Sequence, residues 1–103
     1  MSNRTNRLLL EGILQARDAL RHTPAGIALV SFVVLHESLQ TEAGEERTVQ
    51  LEVSCIAVEG LARAVTASPM GARMALAGFL APKARSSRTP VLHVTELVFK
   101  EGD

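Results

Sequence analysis

The chain has 103 residues, of which 47% are apolar, enough for one small domain with its own core and too apolar for a disordered segment. Eleven bases balance eleven acids, so bulk charge names no polyanionic partner and only the distribution of charge can do so. A single cysteine excludes an internal disulfide framework, the N-terminus lacks an apolar signal core, and the longest apolar run, Ile27 to Leu35, is too short to cross a bilayer. The expectation is one domain over residues 1–103, cytoplasmic and without a membrane segment, frayed at 1–6 and 101–103.

The first predicted strand runs from Arg7 to Ala16. Leu8, Leu10 and Leu14 share one face, Leu9 and Ile13 the other, and Gly12 marks a bulge or bend. Residues 17–26 form a connection whose Thr23-Pro24-Ala25-Gly26 is turn chemistry. Ile27 to His36 is a second strand, nearly continuous in apolar residues and rich in Val and Phe. Glu37 to Glu46 carries four acids and no base, and reads as a long hairpin loop around Ala43-Gly44. Thr48 to Ile56 alternates cleanly, with Val49, Leu51, Val53 and Cys55 facing in and Thr48, Gln50, Glu52 and Ser54 facing out.

From Ala57 to Ala67 the period changes. Val58, Leu61, Ala62 and Val65 fall at helical spacing, and Glu59 precedes Arg63 by four. One short helix is expected there, ending before Pro69. Gly71 to Ala81 is the fourth strand, with Met74, Leu76 and Leu80 on one face and Arg73, Ala75, Ala77 and Phe79 on the other; Gly71 reads as strand entry and Gly78 as a close-packing point. Val91 to Phe99 is the fifth strand. The order βββ-α-ββ, with the helix between the third and fourth strands, predicts an all-β domain with one short helix, a five-stranded Greek-key barrel of the OB type.

Between the last two strands lies PKARSSRTP. It carries Lys83, Arg85 and Arg88 and no acid, a local concentration of charge in a neutral chain. Two proline residues bound it and two serines leave its bases free to reach. Such a hairpin suits a phosphate backbone, or is simply a solvated tip. Phe79, beside the loop, is a stacking platform or a packed residue. His36, His93 and Cys55 have no metal-ligand spacing, so no metal or other cofactor is expected; Cys55 reads as a core residue and the two histidines as strand-end surface groups able to touch phosphate. Asp18 and Asp103 are the only aspartates and no nucleophile elbow is present, so no catalytic residues and no enzyme activity are expected.

Asn6-Arg7-Leu8 with Glu11-Gly12, Pro24-Ala25-Gly26-Ile27, Leu35-His36-Glu37-Ser38 with Glu42-Ala43-Gly44, Gly78-Phe79-Leu80 with Lys83-Ala84-Arg85, and Val91-Leu92-His93 together resemble the PriB family of primosomal replication proteins, relatives of bacterial single-stranded DNA-binding proteins. The likeness covers nearly the whole chain, and its specificity lies in the order and spacing of these segments. It implies a non-enzymatic homodimer that binds single-stranded DNA and bridges a restart helicase and a helicase-loading protein. It carries the family's basic loop onto Lys83, Arg85 and Arg88, a base in the first connection onto Arg21, and a base at the start of the third strand onto Arg47. Two positions depart from it. Gln50 stands where the family can show an aromatic, and Glu37 where it can show a base. A stacked base contributes about 1–3 kcal/mol, so its loss weakens binding and makes it more electrostatic.

Apolar residues on both faces of the first two strands call for cover from outside the barrel, which points to an isologous dimer paired through the first strand. Two other readings remain at this stage. One is an OB module acting mainly through protein contacts, with weak DNA binding; the other is a tetrameric single-stranded DNA-binding protein.

Overall fold

The computed structural model describes residues 3–101, so the expectations for Met1, Ser2, Gly102 and Asp103 lie outside the described residues. Six strands and one helix follow in the order β1 (Leu8–Arg17), β2 (Arg21–His22), β3 (Ala28–Glu42), β4 (Glu45–Val58), α1 (Glu59–Ala67), β5 (Arg73–Pro82) and β6 (Pro90–Lys100). Neighbours run β1-β5-β6-β4-β3, and β1 also pairs with β3, so five strands close into a ring with β2 attached outside β3. This is the expected OB barrel, with β2 added in what the sequence presented as a connection. Arg21 and His22 pair there with Leu29 and Ala28. The turn behind them holds as its residues suggest, with Gly26 at φ +84° and its N–H donating to the Thr23 carbonyl at 2.8 Å.

Ring closure depends on β1 serving two neighbours. Leu8 to Ile13 pair with β5, and Ile13 to Arg17 pair with β3. Gly12 sits at the changeover, where a Cβ would lie 2.4 Å from the Leu35 carbonyl oxygen; only a residue without a side chain lets β3 come so near. The register slip expected around Gly12 falls three residues later, at Gln15. Gly78 is the close-packing point its spacing predicts. A Cβ there would stand 2.0 Å from the His93 carbonyl oxygen, and the β5–β6 register slips beside it, leaving Thr95 as the extra residue.

Inside the ring, Leu14, Val30, Phe32, Val34, Cys55, Met74, Leu76, Leu92 and Val94 pack with Ala62 and Val65 of α1. Burial pushes the Cys55 thiol up to about 12, in keeping with an inert core residue. The helix starts two residues later than its periodicity indicates. Val58 is its exposed N-cap, and Glu59, at φ +56°, accepts a hydrogen bond from the Ala28 N–H at 3.2 Å in place of a pair with Arg63. No basic residue lies in the last helical turn. Arg17 reaches over from β1 and donates to the Val65 and Ser68 carbonyls, supplying the positive charge that a helix C-terminus favours.

The largest departure is the segment Glu37 to Glu46. It is not a loop. β3 and β4 stay paired from Leu29–Val58 out to Glu42–Glu45, and the chain reverses in two residues, Ala43 and Gly44, both at positive φ as in a type I′ turn. The outer part of this ribbon has no core beneath it, so its strands need no apolar alternation, and Glu37 to Glu46 shows none. For the same reason Leu51, read as inward-facing, is 43% exposed and Leu39 is 62% exposed. The ribbon projects from the barrel, and the radius of gyration is 14.9 Å, against about 13 Å for a compact chain of this length. At the other end, Asn6 is held rather than frayed. Its side-chain amide donates to the Leu80 carbonyl at 2.8 Å and its carbonyl accepts from the Leu80 N–H at 2.9 Å, carrying the β1–β5 ladder one step further.

Candidate nucleic-acid interface

Alternation along each strand decides which side chains leave the barrel. Val30, Phe32, Cys55, Ala57, Leu92 and Val94 point in. Ser31, Val33, Ser54, Ile56 and His93 therefore point out. On the outer face of β3 and β4, Ser31, Val33, Ser54 and Ile56 floor an open groove of about 380 Å³, walled by Arg21 on one side and by Lys83 and Thr89 on the other. Arg21, exposed on β2, reaches the Ser31 hydroxyl at 3.5 Å. The sequence-predicted bases Arg21 and Lys83 thus flank one groove, although 62 residues separate them in the chain.

The basic loop is a folded connection. Lys83 N–H donates to the Thr89 carbonyl at 2.8 Å, Ser87 N–H to the Ala84 carbonyl at 3.0 Å, and Thr89 N–H to the Ser87 hydroxyl at 3.0 Å. These bonds occupy backbone groups of the loop and the Ser87 hydroxyl, and leave the cationic groups outward. Lys83, Arg85 and Arg88 are exposed, and among the described residues none of them has an ion pair or a side-chain hydrogen bond. Arg47 is placed differently. It lies near the tip of the β3–β4 ribbon and its guanidinium bonds the Glu42 carboxylate at 2.8 Å. Between residues 37 and 52 this ribbon bears five glutamates and one arginine. Glu37, where a base was a family possibility, accepts a hydrogen bond from Gln50 at 2.8 Å, so the two departing positions face each other across the strands.

Phe79 is 41% exposed and not packed into the core. Its ring lies against that of His93, with centroids 5.1 Å apart and planes inclined by 13°. His93 was read only as a strand-end surface group. Its partnership with Phe79 depends on the β5–β6 register, which the slip at Thr95 sets and which no spacing in the sequence reveals. The other histidine is also not at a strand end. His36 Nδ1 lies 2.6 Å from the Glu11 carbonyl oxygen and Nε2 2.8 Å from the Ser38 hydroxyl, so the ring ties β3 to β1 just beyond their last backbone pair. Among the described residues no group of three or more His, Cys, Asp or Glu side chains is placed to hold a metal ion. No helix of the described residues is long and apolar enough to cross a membrane.

A family model described as another single-strand binding protein family matches residues 6–96. The replication restart protein PriB of Bordetella pertussis is 37% identical over 91 residues, covering 88% of this chain and 85% of the relative. The crystal structure of PriB from Ralstonia solanacearum superposes with a TM-score of 0.84 at 27% identity, over 94% of this chain and 100% of the other. The single-stranded DNA-binding protein of Thermus aquaticus shares the fold, with a TM-score of 0.77 at 21% identity over 95% of this chain and 51% of that one.

Proposed function

The chain belongs to the PriB family of single-strand binding proteins, and from that premise we propose that it is a non-enzymatic, cytoplasmic single-stranded DNA-binding protein of replication restart. The observation that carries this reading is the loop of Lys83, Arg85 and Arg88. Three unneutralised cations stand together on a loop whose backbone is held by its own hydrogen bonds, and the first of them, Lys83, lines the groove that Arg21 closes from the opposite side. Phosphates are gripped by these four residues. Arg47 joins them only when its carboxylate partner is displaced. In this role the protein connects a restart helicase to a helicase-loading protein.

It acts as a homodimer. β1 leaves one edge unpaired from Leu8 to Gly12, on the side opposite β5, and Leu9 beside that edge is 67% exposed. Two copies pairing edge to edge would satisfy the backbone and cover the leucine. Sedimentation at micromolar concentration tests the point, and a pure monomer removes it.

If the three loop bases of each subunit meet one phosphate each, a dimer neutralises six. The slope of log affinity against log salt is then about −4, at roughly −0.7 per contact, and raising salt from about 50 to 200 mM weakens binding on the order of several hundredfold. Fluorescence anisotropy of a labelled oligonucleotide across that range tests the reading. A flat profile, or no binding at low salt, sinks it. A second reading has its own observation. The acidic ribbon, with Leu39 and Leu51 exposed on it, suits protein contact and repels phosphate, so an OB module that works chiefly through proteins remains the alternative. Under that reading, charge reversal in the Lys83 loop leaves partner binding unchanged.

A further inference from the structure

Strand register joins the groove to the aromatic pair. Ser31 pairs with Ile56 across β3 and β4, Ile56 with His93 across the parallel contact of β4 and β6, and His93 with Phe79 across β6 and β5. All four side chains leave the same outer surface. They form one row perpendicular to the strands, spanning three inter-strand steps of about 4.8 Å, about 14 Å in total. Arg21 contacts Ser31 at one end of the row, and the Phe79–His93 stack forms the other end. Lys83 stands over the groove between them.

We propose that the Phe79–His93 pair is a nucleobase-stacking site, reached by a single strand that leaves the Arg21–Lys83 groove along this row. The inference rests on the single-strand-binding reading given above and assigns the part that charge alone does not supply. The two rings are nearly parallel and already in contact, so each holds the other in place. A base laid on the exposed Phe79 ring therefore finds a preformed flat surface and orders little on binding. Ala81 and Val91 pair with each other on the loop side of the two rings, and Phe79 itself is 41% exposed. With Gln50 where the family can carry an aromatic, stacking is displaced from the β3–β4 ribbon to the β5–β6 hairpin.

The test uses the full-length protein and an oligothymidylate carrying one 2-aminopurine, with affinity and probe quenching read at several salt concentrations. Phe79→Leu should lower affinity by roughly 5- to 150-fold, the equivalent of one lost stack, abolish quenching and leave the salt slope unchanged. His93→Ala should behave similarly, and His93→Phe, which keeps a ring against Phe79, should bind and quench as the wild type does. Should Phe79→Leu lose its fold by circular dichroism, the two His93 variants give the same readout. Wild-type affinity and quenching in Phe79→Leu or His93→Ala, with binding still lost on reversing the loop charges, overturn the stacking site and leave the single-strand reading intact. A changed salt slope in His93→Phe also overturns it, since the pair would then act through charge. If the wild-type protein binds no oligonucleotide at any salt, both inferences fall together.

Discussion

Between β3 and β4 the chain turns in two residues, Ala43 and Gly44, at the end of a ribbon with nothing packed under it. Between β5 and β6 it uses the seven residues 83–89, and the hairpin below them is anchored on the core through Leu76, Leu92 and Val94. The first hairpin collects carboxylates, and its one arginine is bound to Glu42. The second collects three bases with no partners among the described residues. A chain of zero net charge is thereby divided into an acidic arm and a basic rim. Its overall neutrality says nothing about where a polyanion would be attracted.

The division can be broken most severely at the basic rim. Reversing Lys83, Arg85 and Arg88 to Glu should reduce oligonucleotide affinity at low salt by several hundredfold or more, read by anisotropy, with the melting temperature nearly unchanged because all three residues are exposed. Next comes Gly78→Ala at the foot of the same hairpin. The new Cβ meets the His93 carbonyl oxygen at 2.0 Å, and the backbone of one strand must move. A loss of about 3 kcal/mol is expected, which for a domain of this size lowers Tm on the order of 15 °C in a calorimetric scan. The arm gives smaller effects. Converting Glu42, Glu45 and Glu46 to Gln removes three like charges and releases Arg47, so affinity for a single strand should rise by about tenfold at low salt and return to the wild-type value at high salt. An unchanged affinity would place the arm outside the path of the nucleic acid. The smallest effect is that of Gly44→Ala at the arm's tip. Its Cβ meets nothing within 4 Å, but φ of +79° strains any residue with a side chain, at a cost of about 1 kcal/mol.

The legible parts of the sequence were those where burial imposes a period. Met74 and Leu76 on one phase of β5, and Ala62 with Val65 on one side of α1, announced the core and the barrel order because each must bury one face. The bases Lys83, Arg85 and Arg88 were visible as a run without acids between two proline residues. The arm was misread because an unsupported ribbon has no inward face. Glu37 to Glu46 followed no period, and Val49 and Leu51 kept an alternation that buries little. The pairing of Arg47 with Glu42 was not legible, because its neighbour across the turn is only known once the two-residue reversal is known. His93 was missed for a similar reason, since one extra residue at Thr95 decides that it faces Phe79. The changeover at Gly12 was legible as a bend, but not as the point where β1 exchanges one neighbour for another.

β4 and β6 share a ladder of two residue pairs, Cys55 with Leu92 and Ile56 with His93, and this short parallel pairing is what shuts the ring. The remaining joins are longer, so the amide protons along this one should be the first of the barrel to exchange with solvent. A ligand lying from Ser31 to Phe79 passes over the seam like a staple. Its binding and the sealing of the barrel are then linked: the ligand favours the closed seam by the same coupling free energy with which the closed seam favours the ligand.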